Sequence, residues 1–244
     1  MQDLHPEPFR RFVVLGESHV EGMCASTEAR RWPNIVADLI SRHQGTQVRL
    51  FNRGISANVI SPRSPGYPAS AKPSALERYR ADVIALDPDM VVLSYGLNDM
   101  RAGMPPEDFR QDMRRIIVDI NAACNAVVVL TTVYHMSAYD LYPPFDRGSI
   151  AATQLFNLVI EQLATEQGAL LADVWGAEGQ ADWVIHPDTV HANDLGHVLI
   201  ANRVFETVAV RCSGVAAGVT VALADARDEV RRTMEDRRRP QNYG

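Results

Sequence analysis

Short aliphatic runs and longer amphipathic segments alternate along this chain. FVVL at residues 12–15, VRLFN at 48–52, MVVLS at 90–94, VVVL at 127–130 and ALLA at 169–172 predict five strands. Three of them are continuous apolar runs, as strands covered on both faces are, whereas a strand with one wet face would alternate. Between them, residues 32–40, 76–86, 106–120, 150–164 and 194–208 repeat apolar positions every three or four residues, the spacing of a helix with one buried stripe. The order predicts an α/β fold, a three-layer α/β/α sandwich around a central, mainly parallel five-stranded sheet.

Two segments break the period. Residues 61–73 are rich in proline and small residues, and residues 135–147 (HMSAYDLYPPFDR) carry Tyr139, Tyr142 and Phe145. Both follow strands, and in an open α/β sheet ligands bind at the carboxyl ends of strands, which makes Tyr139 and Tyr142 candidate substrate contacts. No repeat or low-complexity linker divides the chain, so residues 1–213 are expected to form one catalytic domain. Residues 214–244 differ: small apolar residues lead into a charged stretch in which Asp228 and Arg232, and Glu235 and Arg239, stand four apart. That segment is expected to be a helix, docked on its own domain or joining a homo-oligomer.

Composition narrows the function. Of 244 residues, 46% are apolar, enough for a large core, and 24 Lys+Arg against 30 Asp+Glu give a net charge of -6. This argues against nucleic acid and against docking on anionic membrane. Cys24, Cys124 and Cys212 are scattered without a CxxC pair, so reduced thiols are expected rather than a disulfide framework. No stretch of eighteen apolar residues occurs and residues 1–12 lack the apolar run of a signal peptide, so no membrane insertion is expected and the chain reads as cytoplasmic.

The candidate chemistry lies at strand ends. Gly16-Glu17-Ser18-His19 puts a serine on the turn after the first strand; Asn52-Arg53-Gly54 ends the second; Tyr95-Gly96-Leu97-Asn98-Asp99 ends the third; Asp188-Thr189-Val190-His191 precedes the last core helix. Together they supply a nucleophile, a base with an orienting carboxylate, and donors for an oxyanion. These four blocks, in order, resemble the SGNH hydrolase superfamily, the GDSL-type esterases and lipases. VVLGESH is similar to the strand and Gly-Asp-Ser of its first block, Gly54 to its second-block glycine, Gly96-Leu97-Asn98-Asp99 to its Gly-x-Asn-Asp, and Asp188 with His191 to its Asp-x-x-His.

The resemblance implies a flavodoxin-like fold, Ser18 as nucleophile, His191 as general base, Asp188 as its orienting acid, and an oxyanion hole of the Ser18 and Gly54 N–H groups and the Asn98 side-chain amide. Two positions depart from the family: Glu17 stands where aspartate is commonest, and Ala57 where glycine is frequent. His19 is expected at the pocket rim or as a hydrogen-bonding contact to substrate. His186, Asp188 and His191 lack the i, i+4 register of a helical zinc pair, and neither a phosphate loop nor a dinucleotide fingerprint occurs, so no metal and no cofactor are expected. The expected activity is serine hydrolysis of a small-molecule or carbohydrate acyl ester. Acyl transfer from the same acyl-enzyme, and a binding module without turnover, are the alternatives.

Overall fold

The apolar runs pair side by side as β1 (Arg11–Gly16), β2 (Arg49–Gly54), β3 (Met90–Ser94), β4 (Val127–Thr131) and β5 (Leu170–Ala172). The structure, a computed structural model, describes residues 2–139 and 141–238. The sheet order is β2-β1-β3-β4-β5, and every pairing is parallel, so the expected sheet is wholly rather than mainly parallel. The second strand runs two residues past its expected end, to Gly54, because Gly54 still pairs with Gly16.

Alternate strand residues face opposite layers. Val13, Leu15, Val91 and Leu93 pack with Tyr79 of α3 (Ala75–Asp82), Phe109 and Ile117 of α5 (Pro106–Ala123) and Phe156 of α6 (Ile150–Gln167); the short helices α1 (Ser18–Glu21) and α4 (Leu97–Arg101) and the longer α2 (Trp32–Gln44) fall between these strands in sequence. On the other face Phe12, Val14 and Val92 meet Trp32 and Ile40 of α2, Val174 of α7 (Val174–Glu178) and Ile200 and Val204 of α8 (Asp194–Ala209). Each such side chain, once fully buried, contributes about 1.5–3 kcal/mol relative to exposure. The helix expected over 76–86 is shorter: a capping box between Ser74 and Glu77 starts α3, and after Asp82 the chain bends at Val83 into a single tight turn, Ile84–Leu86.

The topology fixes where a ligand can bind. From β1 the chain moves outward to β2, then crosses to the opposite side of β1 for β3. Loops leaving β1 and β3 therefore diverge and open a crevice at their carboxyl ends.

The carboxyl-terminal boundary shifts. The Gly214 N–H donates to the His5 carbonyl at 3.0 Å and Val215 is buried in the core, so packing with the catalytic body continues two residues beyond 213. The expected helix follows as α9 (Ala217–Arg238), but it is not docked along its length: Val219, Val221, Leu223, Val230 and Met234 are all exposed. It touches the body at its base, where Gly218 faces Gly45, the residue that ends α2 at φ +76°. Asp228 pairs with Arg231 at 2.6 Å rather than with Arg232. The expected Glu235–Arg239 pair, like Asp140 of the aromatic segment, involves a residue outside the described ones.

Candidate active site

Ser18 opens α1 directly beyond β1, and its side chain is turned to the loop before α8. There the N–H of His186 donates to the His191 carbonyl at 2.7 Å, and an antiparallel bridge joins Ile185 to Ala192. This closed loop presents Asp188 and His191 on one side. His191 Nε2 lies 2.8 Å from Ser18 Oγ, and His191 Nδ1 lies 2.6 Å from Asp188 Oδ2. Asp188 Oδ1 also accepts the N–H groups of Val190 and His191, at 3.1 and 3.0 Å. Partial burial pushes the Asp188 carboxyl up, but the hydrogen bonds from His191, Cys24 and Val190 outweigh it and hold the group well below the usual carboxylate range. Asp188 is therefore an anion that fixes the ring with its Nδ1 proton inward and its Nε2 lone pair toward the serine.

A model of the GDSL-like lipase/acylhydrolase family matches residues 14–199. The chain belongs to that family, one of carboxylic ester hydrolases. It is 25% identical to an arylesterase from Vibrio mimicus over 171 residues, covering 67% of this chain and 78% of the relative. It is 22% identical to an acetylxylan esterase from Geobacillus stearothermophilus over 169 residues, covering 63% and 69%. The solved structure of that acetylxylan esterase is similar at a TM-score of 0.62 and 18% identity, over 85% of this chain and 96% of that one. A lipase/acylhydrolase from Enterococcus faecalis is similar at 0.64 and 18%, over 82% and 95%. These likenesses are of fold.

The GDSL-family pattern accounts for the other site positions unevenly. Asn98, at the start of α4, is 5% exposed, as is Ser18. One amide hydrogen of Asn98 goes to the Asn58 carbonyl at 2.9 Å and its Oδ1 faces Arg101, which leaves the second hydrogen available to a ligand. Gly54 is different. In a parallel ladder successive N–H groups point to opposite sides; the Ile55 N–H donates to Gly16 at 3.1 Å, so that of Gly54 points to the open sheet edge and donates to Asn52 Oδ1 at 2.9 Å. The expected Gly54 donor is thus turned away from Ser18. Its glycine is needed for another reason: a Cβ there would stand 2.0 Å from the Glu21 nitrogen in α1.

Ala57, three residues on, holds φ +54°, a left-handed conformation that favours glycine, and its N–H has no acceptor among the described residues. The sequence signal for it was the missing family glycine at that position. Glu17 uses its extra methylene to reach the N–H groups of Gly96 and Asn98, at 3.4 and 3.3 Å, tying the Ser18 turn to α4. Burial, and then the neighbouring Asp99, push its carboxyl well up.

His19 corrects an expectation. It is fully buried, not at a rim, stacked on Tyr134 with ring centroids 4.1 Å apart and 5.1 Å from the His191 ring. Burial, followed by the nearby His191, holds it well below the ordinary imidazole value, so it is a neutral packing wall behind the His191 ring. Tyr142 is exposed, and Tyr139 is half-buried. The aromatic segment joins the triad loop through the Ser137 N–H, which donates to the Thr189 carbonyl at 3.0 Å, and covers Arg101, whose guanidinium lies 5.9 Å from the Tyr142 ring and 5.6 Å from that of Phe145.

Two residues near the triad had no clear sequence signal. Arg101 is 4% exposed, one helical turn beyond Asn98. Cys24, at φ +65°, donates its thiol to Asp188 Oδ2 at 3.2 Å. Burial and the Asp188 contact push that thiol up to about 12, so it stays protonated.

Proposed function

We propose that the protein hydrolyses a short-chain O-ester of a small alcohol or carbohydrate through an acyl-enzyme on Ser18. The observation that carries this reading is the continuous line from Ser18 Oγ through the His191 ring to Asp188, with contacts of 2.8 and 2.6 Å. His191 Nε2 takes the Ser18 proton as Oγ attacks the ester carbonyl. The carbonyl oxygen, now negative, is met by the Ser18 and Ala57 N–H groups and the free amide hydrogen of Asn98, with Ala57 taking the part expected of Gly54. Collapse of the tetrahedral intermediate breaks the ester C–O bond, and the Nε2 proton leaves with the alcohol. Water, deprotonated by the same nitrogen, attacks the acyl carbon and releases the acid, restoring Ser18.

A short acyl group fits the near-complete burial of Ser18 and Asn98. The arylesterase and acetylxylan esterase relatives support an aryl or sugar alcohol, and the latter's catalytic variants replace a serine and a histidine. Tyr139 and Tyr142 would contact the alcohol from the aromatic segment.

The test is a panel of aryl and acetylated-sugar esters of graded acyl length, assayed with the parent and Ser18→Ala. The parent should turn over acetyl esters fastest and take up a fluorophosphonate at Ser18, and Ser18→Ala should lose both by several orders of magnitude while remaining folded. An unlabelled parent or an active Ser18→Ala would overturn the reading.

A further inference from the structure

The segment that carries Ser18 also delivers Cys24 to the far side of the triad. Cys24 Sγ and His191 Nδ1 approach the same oxygen, Oδ2 of Asp188, at 3.2 and 2.6 Å. A sulfur, a carboxylate oxygen and an imidazole nitrogen of these residues all lie within 4.8 Å of one another. They come from two loops that other contacts hold: the Ser26 N–H and Oγ, just after Cys24, donate to Asp194 at 2.8 and 2.7 Å, and the bridge at Ile185 and Ala192 closes the second loop. The Asp188 side chain is one-third exposed, so the trio is open to solvent.

We propose that Cys24, Asp188 and His191 form an inhibitory site for a soft divalent cation such as zinc, which disables the triad when it binds. Thiolate, carboxylate and imidazole are the donors zinc prefers, at about 2.0–2.3 Å, and three protein ligands leave a fourth position for water. The Cys24–Asp188 and Asp188–His191 contacts, at 3.2 and 2.6 Å, are shorter than the ligand spacings of a tetrahedral ion, so Cys24 must draw back from Asp188 and the Asp188 and His191 side chains must part within their own loop.

Proton accounting explains the inhibition. The cation displaces the thiol proton to solvent and takes the Nδ1 lone pair, so the ring's remaining proton moves to Nε2. A ring with Nε2–H has no lone pair left for the Ser18 proton, and Asp188 is drawn from orienting the ring to holding the ion. The trio differs from the His186, Asp188 and His191 set considered from sequence, and its role is opposed to turnover.

Inhibition rests on His191 being the base, but binding does not, so both are measured. Cobalt is added to metal-free protein as a spectroscopic probe, and zinc is titrated into the esterase assay. Parent protein should give visible d–d bands and a thiolate-to-cobalt charge-transfer band, and zinc should inhibit in a manner that a chelator reverses. Cys24→Ser keeps a hydroxyl donor to Asp188 but is a poor ligand. It should lose the charge-transfer band and raise the zinc inhibition constant on the order of a hundredfold, relative to its own metal-free rate. Absence of the charge-transfer band in the parent, or equal zinc inhibition of parent and Cys24→Ser, would overturn the proposal. A charge-transfer band without zinc inhibition would overturn the inhibitory role and count against His191 as base, whereas no band with an intact ester panel would sink the metal site alone.

Discussion

Asn52 Oδ1 accepts the backbone N–H of Gly54 at 2.9 Å, while its Nδ2 donates to the Val20 carbonyl at 2.6 Å, so one side chain binds the end of β2 to the helix that Ser18 begins. Gly54 is therefore a packing position first. Gly54→Ala would drive a methyl into the backbone of Val20 and Glu21 and displace α1. It should cost about 1–3 kcal/mol or more in a denaturant titration, together with most of the turnover. Unchanged stability and rate would show that α1 yields freely.

Asn98→Ala removes a donor whose free hydrogen acts only once charge develops on the ester oxygen. A fall in kcat of about 100- to 1000-fold, with much less change in KM, is expected from steady-state kinetics on a rapidly cleaved ester. A change confined to KM would make Asn98 a ground-state contact instead.

Glu178 sets a pH dependence of stability remote from catalysis. Its Oε2 accepts the His135 N–H at 2.8 Å, its Oε1 is buried without a partner, and burial pushes its carboxyl from an ordinary 4.5 up to about 8. The folded state thus binds a proton that the unfolded state releases above about 4.5. The stability this proton supports is fully present below 4.5 and is lost as pH rises through about 8. Glu178→Gln imitates the protonated acid, so its urea midpoint should fall less than the parent's between about pH 5 and pH 9, a range that spans most of the window. Parallel falls in the two proteins would count against a buried neutral Glu178.

Removal of α9 and removal of Val215 should have different effects. A chain ending at Ala217 keeps the buried Val215 and all site residues, and is expected to retain the parent's melting temperature and ester turnover. One ending at Gly214 loses a core side chain and should be destabilised by about 1.5–3 kcal/mol. Sedimentation of the first chain against the parent reads whether the exposed Val219, Leu223 and Val230 join two copies. Equal stability of the two truncations would show that Val215 does not belong to the core.

The sheet was legible because doubly buried strands must be apolar, and Val91, Val92 and Leu93 have no wet side on which to place a polar residue. The meeting of Ser18, His191 and Asp188 was legible because strand ends are where such folds place chemistry, and Asp188 and His191 sit within one loop. What sequence could not convey was direction. Whether His19 points to solvent or into the core depends on the Tyr134 ring that stacks on it from another strand end, and which way the Gly54 N–H points depends on register with β1. Cys24 was hidden for a similar reason: 164 residues separate it from Asp188, and no local spacing marks their meeting.

The glycine pair at the foot of α9 sets how closely that helix can meet the end of α2. A Cβ on Gly218 would stand 2.9 Å from the Gly45 nitrogen, whereas one on Gly45 would find the Gly218 Cα at 3.4 Å, so the joint is tighter on one side than the other. The helix has 22 residues in all, a length of about 33 Å, and a tilt of roughly 10° at its foot would sweep the tip through about 6 Å. One methyl group at residue 218 would thus re-aim the whole arm while leaving the distant crevice untouched, and the direction in which α9 leaves the body is set by the smallest side chains the chain has.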